Sequence, residues 1–118
     1  MKKNNLIQEK SFQFSLDIIK LYKYLKEVKE FDIARQVLRS GTSIGANIEE
    51  ALGAQSKRDF LSKKNISLKE ARETYYWLRL LKQSDMLPNQ FHYLLDDNFS
   101  IINILSSIVK TIKEQLNL

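Results

Sequence analysis

Arg58, Asn65, Lys69, Arg72, Tyr76 and Arg79 recur at intervals that gather them into a stripe about 80° wide once residues 57–83 are wound at about 100° per residue. Such a stripe suits a polyanion. Each cation can neutralise a phosphate and release its counterion, and a tyrosine among the cations offers a ring face to an unpaired base. Arg35 and Arg39, four residues apart, would add guanidinium groups from the outward side of the preceding element, and Lys20, Lys23 and Lys26 would add amino groups from the first. Arg35, Arg39, Arg58, Lys69, Arg72, Tyr76 and Arg79 are therefore the candidate nucleic-acid-binding residues. The same residues also fit a second account, a solvated helix face without a ligand.

Chemistry of bond making and breaking finds no such footing. Glu49, Glu50, Glu70 and Glu73 suggest a carboxylate metal centre inside a bundle, but a di-iron arrangement needs Glu-x-x-His pairs. The single histidine, His92, has no glutamate three residues before it, and its place beside an apolar stripe is that of a boundary residue rather than a base. Absence of cysteine removes disulfides, thiolate zinc sites and thiol nucleophiles together. The serines lack a nucleophile elbow and a strand to hold one. With no acid, base and nucleophile on one face, the chain is expected not to be an enzyme and to need neither metal nor cofactor.

The elements that would carry these residues are helices, because apolar residues recur with a helical period and turn signals are few: three glycines and one proline in 118 residues. The first helix is expected from near Ser11 to about Lys29, with Phe14, Ile18, Leu21, Tyr22, Leu25 and Val28 inward and residues 1–10 as a flexible lead. The second opens near Asp32 and stops at Gly53. It buries Ala34, Val37, Leu38, Gly41, Ile44, Gly45, Ile48, Ala51 and Leu52. The third begins at Ser56 or Lys57 and reaches about Gln83, roughly 42 Å at about 1.5 Å per residue, with Phe60, Ser67, Ala71, Thr74 and Leu78 inward. The fourth follows Leu87-Pro88 and runs to the C-terminus on a stripe from Phe91 through Asn98 and Ile101 to Leu116. Short connections predict an all-α, antiparallel up-down four-helix bundle filling residues 1–118 as a single domain.

Two glycines within a helix cost about 1 kcal/mol each relative to alanine, so Gly41 and Gly45 need a reason. Being four apart they share a face, which predicts close approach of another helix. A phosphate-cradling loop fits poorly, since no strand precedes the segment and no lysine and hydroxyl follow it.

Two helices carry more apolar surface than one bundle can bury. Phe12, Leu16 and Ile19 lie away from the first helix's core face, and Ile66, Trp77 and Leu80 lie a third of a turn or more from the third's. With Glu73 beside them, these are the candidate oligomer-interface residues. Glu70 and Glu73 are expected to pair with a neighbouring subunit's Lys or Arg, or Glu73 with Lys69 of its own helix. The competing account is that scattered exposed apolar residues are ordinary and that Trp77 folds over its own core. A formal charge of +5, 43% hydrophobic and 28% charged residues suit a globular protein with some attraction for polyanions. No segment has the length of a membrane span or a secretory leader, so a cytoplasmic location without membrane contact is expected.

The runs Leu38-Arg39-Ser40-Gly41-Thr42-Ser43-Ile44-Gly45-Ala46-Asn47-Ile48-Glu49-Glu50-Ala51, Ser56-Lys57-Arg58-Asp59-Phe60 and Leu68-Lys69-Glu70-Ala71-Arg72-Glu73-Thr74-Tyr75-Tyr76-Trp77-Leu78 resemble a bacterial four-helix-bundle family. Its members were first noticed as proteins encoded within intervening sequences of 23S ribosomal RNA genes. The resemblance extends over most of the chain. Accessory proteins of diversity-generating retroelements fall in the same family and resemble pentameric barrels that engage a reverse transcriptase and nucleic acid. A homopentameric ring is thereby implied here, with RNA, DNA, a reverse transcriptase or another nucleic-acid enzyme as partner. The family has no agreed enzymatic activity. These lines converge on a non-enzymatic binding or scaffold protein, the alternative being a purely structural protein–protein module.

Overall fold

Helices α1 (Lys2–Glu27), α2 (Phe31–Leu52), α3 (Lys57–Gln83) and α4 (Tyr93–Gln115) build the protein, with one 3-10 turn at Asn89–Phe91 leading into α4. The computed structural model describes residues 2–118, and Met1 lies outside the described residues. The fold is all-α, with no strand among the described residues. Each helix packs against its neighbours in sequence, and α4 closes back onto α1. Contacts that climb one helix while descending the next make every adjacent pair antiparallel. Gly41 meets Ile18 and Gly45 meets Ser11 between α1 and α2, and Ser67 meets Ile44 and Thr74 meets Ser40 between α2 and α3. The result is a rod of 47 × 22 × 21 Å.

Local chemistry explains most boundaries. Ser56, in extended backbone, accepts the Asp59 amide at 3.0 Å and caps α3. Gly53 ends α2, as its position suggests. The remaining helix ends are unmarked by glycine because Lys29, Asp85 and Asn117 take the left-handed conformation themselves, with φ of 65°, 60° and 58°. In each case the next residue's amide reaches back five positions, Glu30 to Leu25, Met86 to Leu81 and Leu118 to Lys113, which satisfies carbonyls the helix leaves open. Val28 therefore sits in a closing turn and is exposed rather than in the core. Leu52, at the last position of α2, is also exposed.

The start of α1 corrects the expected boundary. Residues 2–10 are helical, and Ser11 is a buried mid-helix residue whose hydroxyl donates to the Gln8 carbonyl at 3.2 Å. The reason is Ile7, fully buried seven residues before Phe14, which extends the apolar stripe by two turns. Lys3 Nζ donates to Ser107 Oγ of α4 at 2.6 Å and Gln8 Nε2 to Glu49 Oε1 of α2 at 3.3 Å, tying this segment to both neighbours.

Ile18, Leu21, Leu25, Val37, Ile44, Leu78, Leu81, Leu94, Ile101 and Leu105 form the fully buried centre. Between α1 and α2 the glycines face the partner helix: a Cβ on Gly41 would lie 2.9 Å from Ile18, and one on Gly45 would lie 3.3 Å from Ser15 Oγ. Between α2 and α3, hydroxyls do the joining. Ser67 Oγ donates to the Ile44 carbonyl at 2.8 Å, and the Thr74 and Ser40 hydroxyls lie 2.9 Å apart. Asn98 of α4 is fully buried and donates through Nδ2 to the Ala71 carbonyl of α3 at 3.0 Å.

Candidate nucleic-acid interface

Winding α3 against α4 leaves Arg58, Lys69, Arg72, Tyr76 and Arg79 exposed, with Asn65 half-buried. From Arg58 to Arg79 the stripe runs roughly 30 Å along the helix at about 1.5 Å per residue. Across the α3–α4 seam lies a shallow groove of about 440 Å³ that holds Asn65 and Arg72 from α3 and Ser106, Lys110 and Lys113 from α4. Glu114 is its one acidic wall. The α4 lysines were not among the sequence candidates. Their three-residue spacing on the side of α4 next to Ile102 and Val109 is the signal that marks them.

Ion pairing separates the candidate cations into two groups. Among the described residues, Arg39 pairs with Glu70 at 3.1 Å and, more tightly, with Glu73, Arg35 pairs with Asp32, and Lys63 with Glu50 at 3.2 Å. Arg58, Lys69, Arg72, Arg79, Lys110 and Lys113 belong to none of these pairs. The structure thus does not bring Arg35 and Arg39 into the α3 stripe. They occupy α2, and the Arg39 guanidinium spans two carboxylates one turn apart on α3.

That clamp gives Glu70 and Glu73 a cationic partner in their own protomer. Glu73 accepts in addition from Trp77 Nε1 at 2.9 Å; its ion pair is with Arg39 rather than with Lys69. The reason is geometric: Glu70, Glu73 and Trp77 lie on the flank of α3 that faces α2. Trp77 is accordingly half-buried, packed on the edge of its own core near Ile33 and Gln36. Glu49 and Glu50 are spoken for by Gln8 and Lys63, so the four carboxylates are dispersed. No three His, Cys, Asp or Glu side chains converge among the described residues.

Aromatic rings collect at one end of the cationic face. Tyr75 lies against Phe99 of α4 with centroids 5.9 Å apart, and the Arg79 guanidinium sits 5.6 Å from the Tyr75 centroid and 6.0 Å from that of Tyr76. Tyr76 meets the edge of Trp77 at 5.4 Å. Tyr76 and Phe99 remain 48% and 52% exposed. His92 lies apart from this cluster, half-buried, with Nε2 2.9 Å from the Leu87 carbonyl.

The apolar interface candidates lie elsewhere. Phe12, Leu16 and Ile19 line the outer α1–α2 seam beside Thr42 and Ala46, and all three are exposed, Phe12 to 62%. Ile66 and Leu80 are exposed on α3. Because α1 and α3 are not neighbours in the bundle, the two apolar patches occupy different corners of the rod.

Two ionisable groups were not anticipated. Lys64 of α3 is 1% exposed, its Nζ 5.0 Å from the Phe60 ring centroid, and burial pushes its pKa below the usual lysine value. Tyr93 faces the buried Asp17 of α1, and burial, followed by the charge of that carboxylate, pushes the phenol up.

This arrangement, a small antiparallel four-helix rod with a cationic groove across its α3–α4 seam, defines a helical-bundle protein. The chain belongs to the 23S rRNA-intervening sequence protein family, whose model matches residues 3–107. It is also similar to a crystal structure of a protein with unknown function from the S23 ribosomal protein family of Bacteroides thetaiotaomicron VPI-5482. That similarity amounts to 49% identity and a TM-score of 0.87 over 92% of this chain and 98% of that one. No curated protein matches. No helix among the described residues is long and apolar enough to cross a membrane.

Proposed function

We propose that the protein is a non-enzymatic, oligomeric scaffold that binds nucleic acid along the α3–α4 seam. The observation that carries this reading is the lack of ion pairs at Arg58, Lys69, Arg72, Arg79, Lys110 and Lys113, when the α2 arginines are paired. Cations held without carboxylate partners keep their full attraction for phosphates. A family named for ribosomal RNA makes RNA the first polyanion to try.

Assembly follows from the two apolar patches. Patches on different corners suit a heterologous, head-to-tail contact, and such contacts close into rings when the rotation permits. Five subunits is the number the family resemblance implies, and repetition of the cationic seam by each subunit would multiply its field.

Fluorescence anisotropy with a labelled RNA of mixed sequence tests the reading. If four cations each neutralise one phosphate, affinity falls about 50-fold between about 50 and 200 mM salt. The double substitution Arg72→Glu, Lys110→Glu should weaken binding at least tenfold with helicity unchanged. Failure of the unsubstituted protein to bind RNA or DNA at low salt would leave the protein–protein module as the better account.

A further inference from the structure

We infer that the Tyr76–Arg79–Phe99 end of the α3–α4 seam is a base-stacking platform, so that the ligand is single-stranded nucleic acid with unpaired bases rather than a duplex. The inference rests on the polyanion reading above and narrows it. Neutralising phosphates alone would need only cations, and α3 has them from Arg58 to Arg79 with Lys110 and Lys113 of α4 across the groove. What that need does not explain is the aromatic cluster at one end. Tyr76 and Phe99 leave about half of their surface in water, 48% and 52%, and Arg79, in none of the ion pairs among the described residues, lies 6.0 Å from the Tyr76 centroid.

The cluster is braced from within. Tyr75, half-buried, lies against Phe99 at 5.9 Å and beneath the Arg79 guanidinium at 5.6 Å, while Trp77 meets Tyr76 from the side at 5.4 Å. Rings held in this way lose little freedom when a base stacks on them, and Arg79 is placed to contact both the aromatic faces and a phosphate. Bases in a duplex keep their faces against one another, so a convex helical rod reaches only backbone and groove edges; an unpaired base can turn out onto a ring. Charge complementarity selects a polyanion, and the exposed rings select one whose bases are free.

The test compares single-stranded RNA, single-stranded DNA of the same sequence and a blunt duplex of the same length, at one salt concentration. The unsubstituted protein is expected to prefer the single strands by roughly tenfold. Tyr76→Ala with Phe99→Ala should lose about that factor on single strands and almost nothing on duplex, and Tyr76→Phe should retain the preference. Photo-crosslinking of a bromouracil-containing strand to the unsubstituted protein should label Tyr76 or Phe99, which gives a readout that needs no variant. Equal loss on both ligands, no loss on either, or a change in sedimentation of the alanine variant would overturn the platform. Salt-dependent binding that ignores strandedness would also overturn it while leaving the polyanion reading standing; binding of nothing would end both.

Discussion

Gly41 lies directly beneath Ile18: a Cβ added to the glycine would stand 2.9 Å from both Cγ atoms of the fully buried isoleucine. The α1–α2 seam is therefore set by the missing side chain at this point, and Ile18 occupies the space it leaves. Gly45, one turn later, faces Ser15 Oγ at 3.3 Å, and Ser15 is half-buried with a hydroxyl that can rotate.

Gly41→Ala should consequently lower stability. Overpacking against a buried side chain costs about 1–3 kcal/mol, more than the roughly 1 kcal/mol that alanine gains in helix propensity. Gly45→Ala should fall within about 0.5 kcal/mol of neutral, because the same propensity gain meets a yielding neighbour. Urea unfolding of the two variants, side by side, checks the contrast.

Lys64 should make stability depend on pH at the alkaline end. Its pKa is lowered in the folded protein below the ordinary 10.5 by burial. Between the lowered value and 10.5 the unfolded chain binds more protons, so stability rises with pH across that window. Below it the full penalty of a buried charge is present. Lys64→Met should flatten this rise and gain about 1 kcal/mol near neutral pH; thermal melts from neutral to alkaline pH measure both.

Arg39→Ala separates structure from binding. The Arg39 side chain is half exposed, so losing its pairs with Glu70 and Glu73 should cost under about 1 kcal/mol. Because its charge is already balanced, RNA affinity should stay within twofold of the parent.

Leu16→Glu tests assembly. The residue is 41% exposed, so a monomer should tolerate the carboxylate, whereas an interface built on Phe12, Leu16 and Ile19 should not. Sedimentation should show dissociation with unchanged helicity.

Much of the fold can be read from the chain because helical periodicity, the Ser56 cap and Gly53 are local signals. The other ends are invisible to glycine counting, since Lys29, Asp85 and Asn117 adopt positive φ without being glycine. Ser11 misleads for a related reason: a serine hydroxyl serves equally as a cap or bonded to the preceding turn, and only the burial of Ile7 decides. The candidate site was less accessible. Exposure of the α3 stripe follows from helical spacing, but whether a cation is paired depends on contacts such as Arg39 with Glu73, 34 residues apart. Lys110 and Lys113 join Arg72 only once the α3–α4 register is set by contacts such as Asn98 with Ala71.

The salt dependence of single-strand binding tests the central claim most directly. Each phosphate contact adds about 0.7 to the slope of log affinity against log salt on single strands. Replacing Arg72, Arg79 or Lys110 by alanine should reduce the slope by about that amount each, whereas Arg35→Ala and Arg39→Ala should leave it unchanged. A slope that falls with the α2 arginines and ignores the α3–α4 cations would contradict the account.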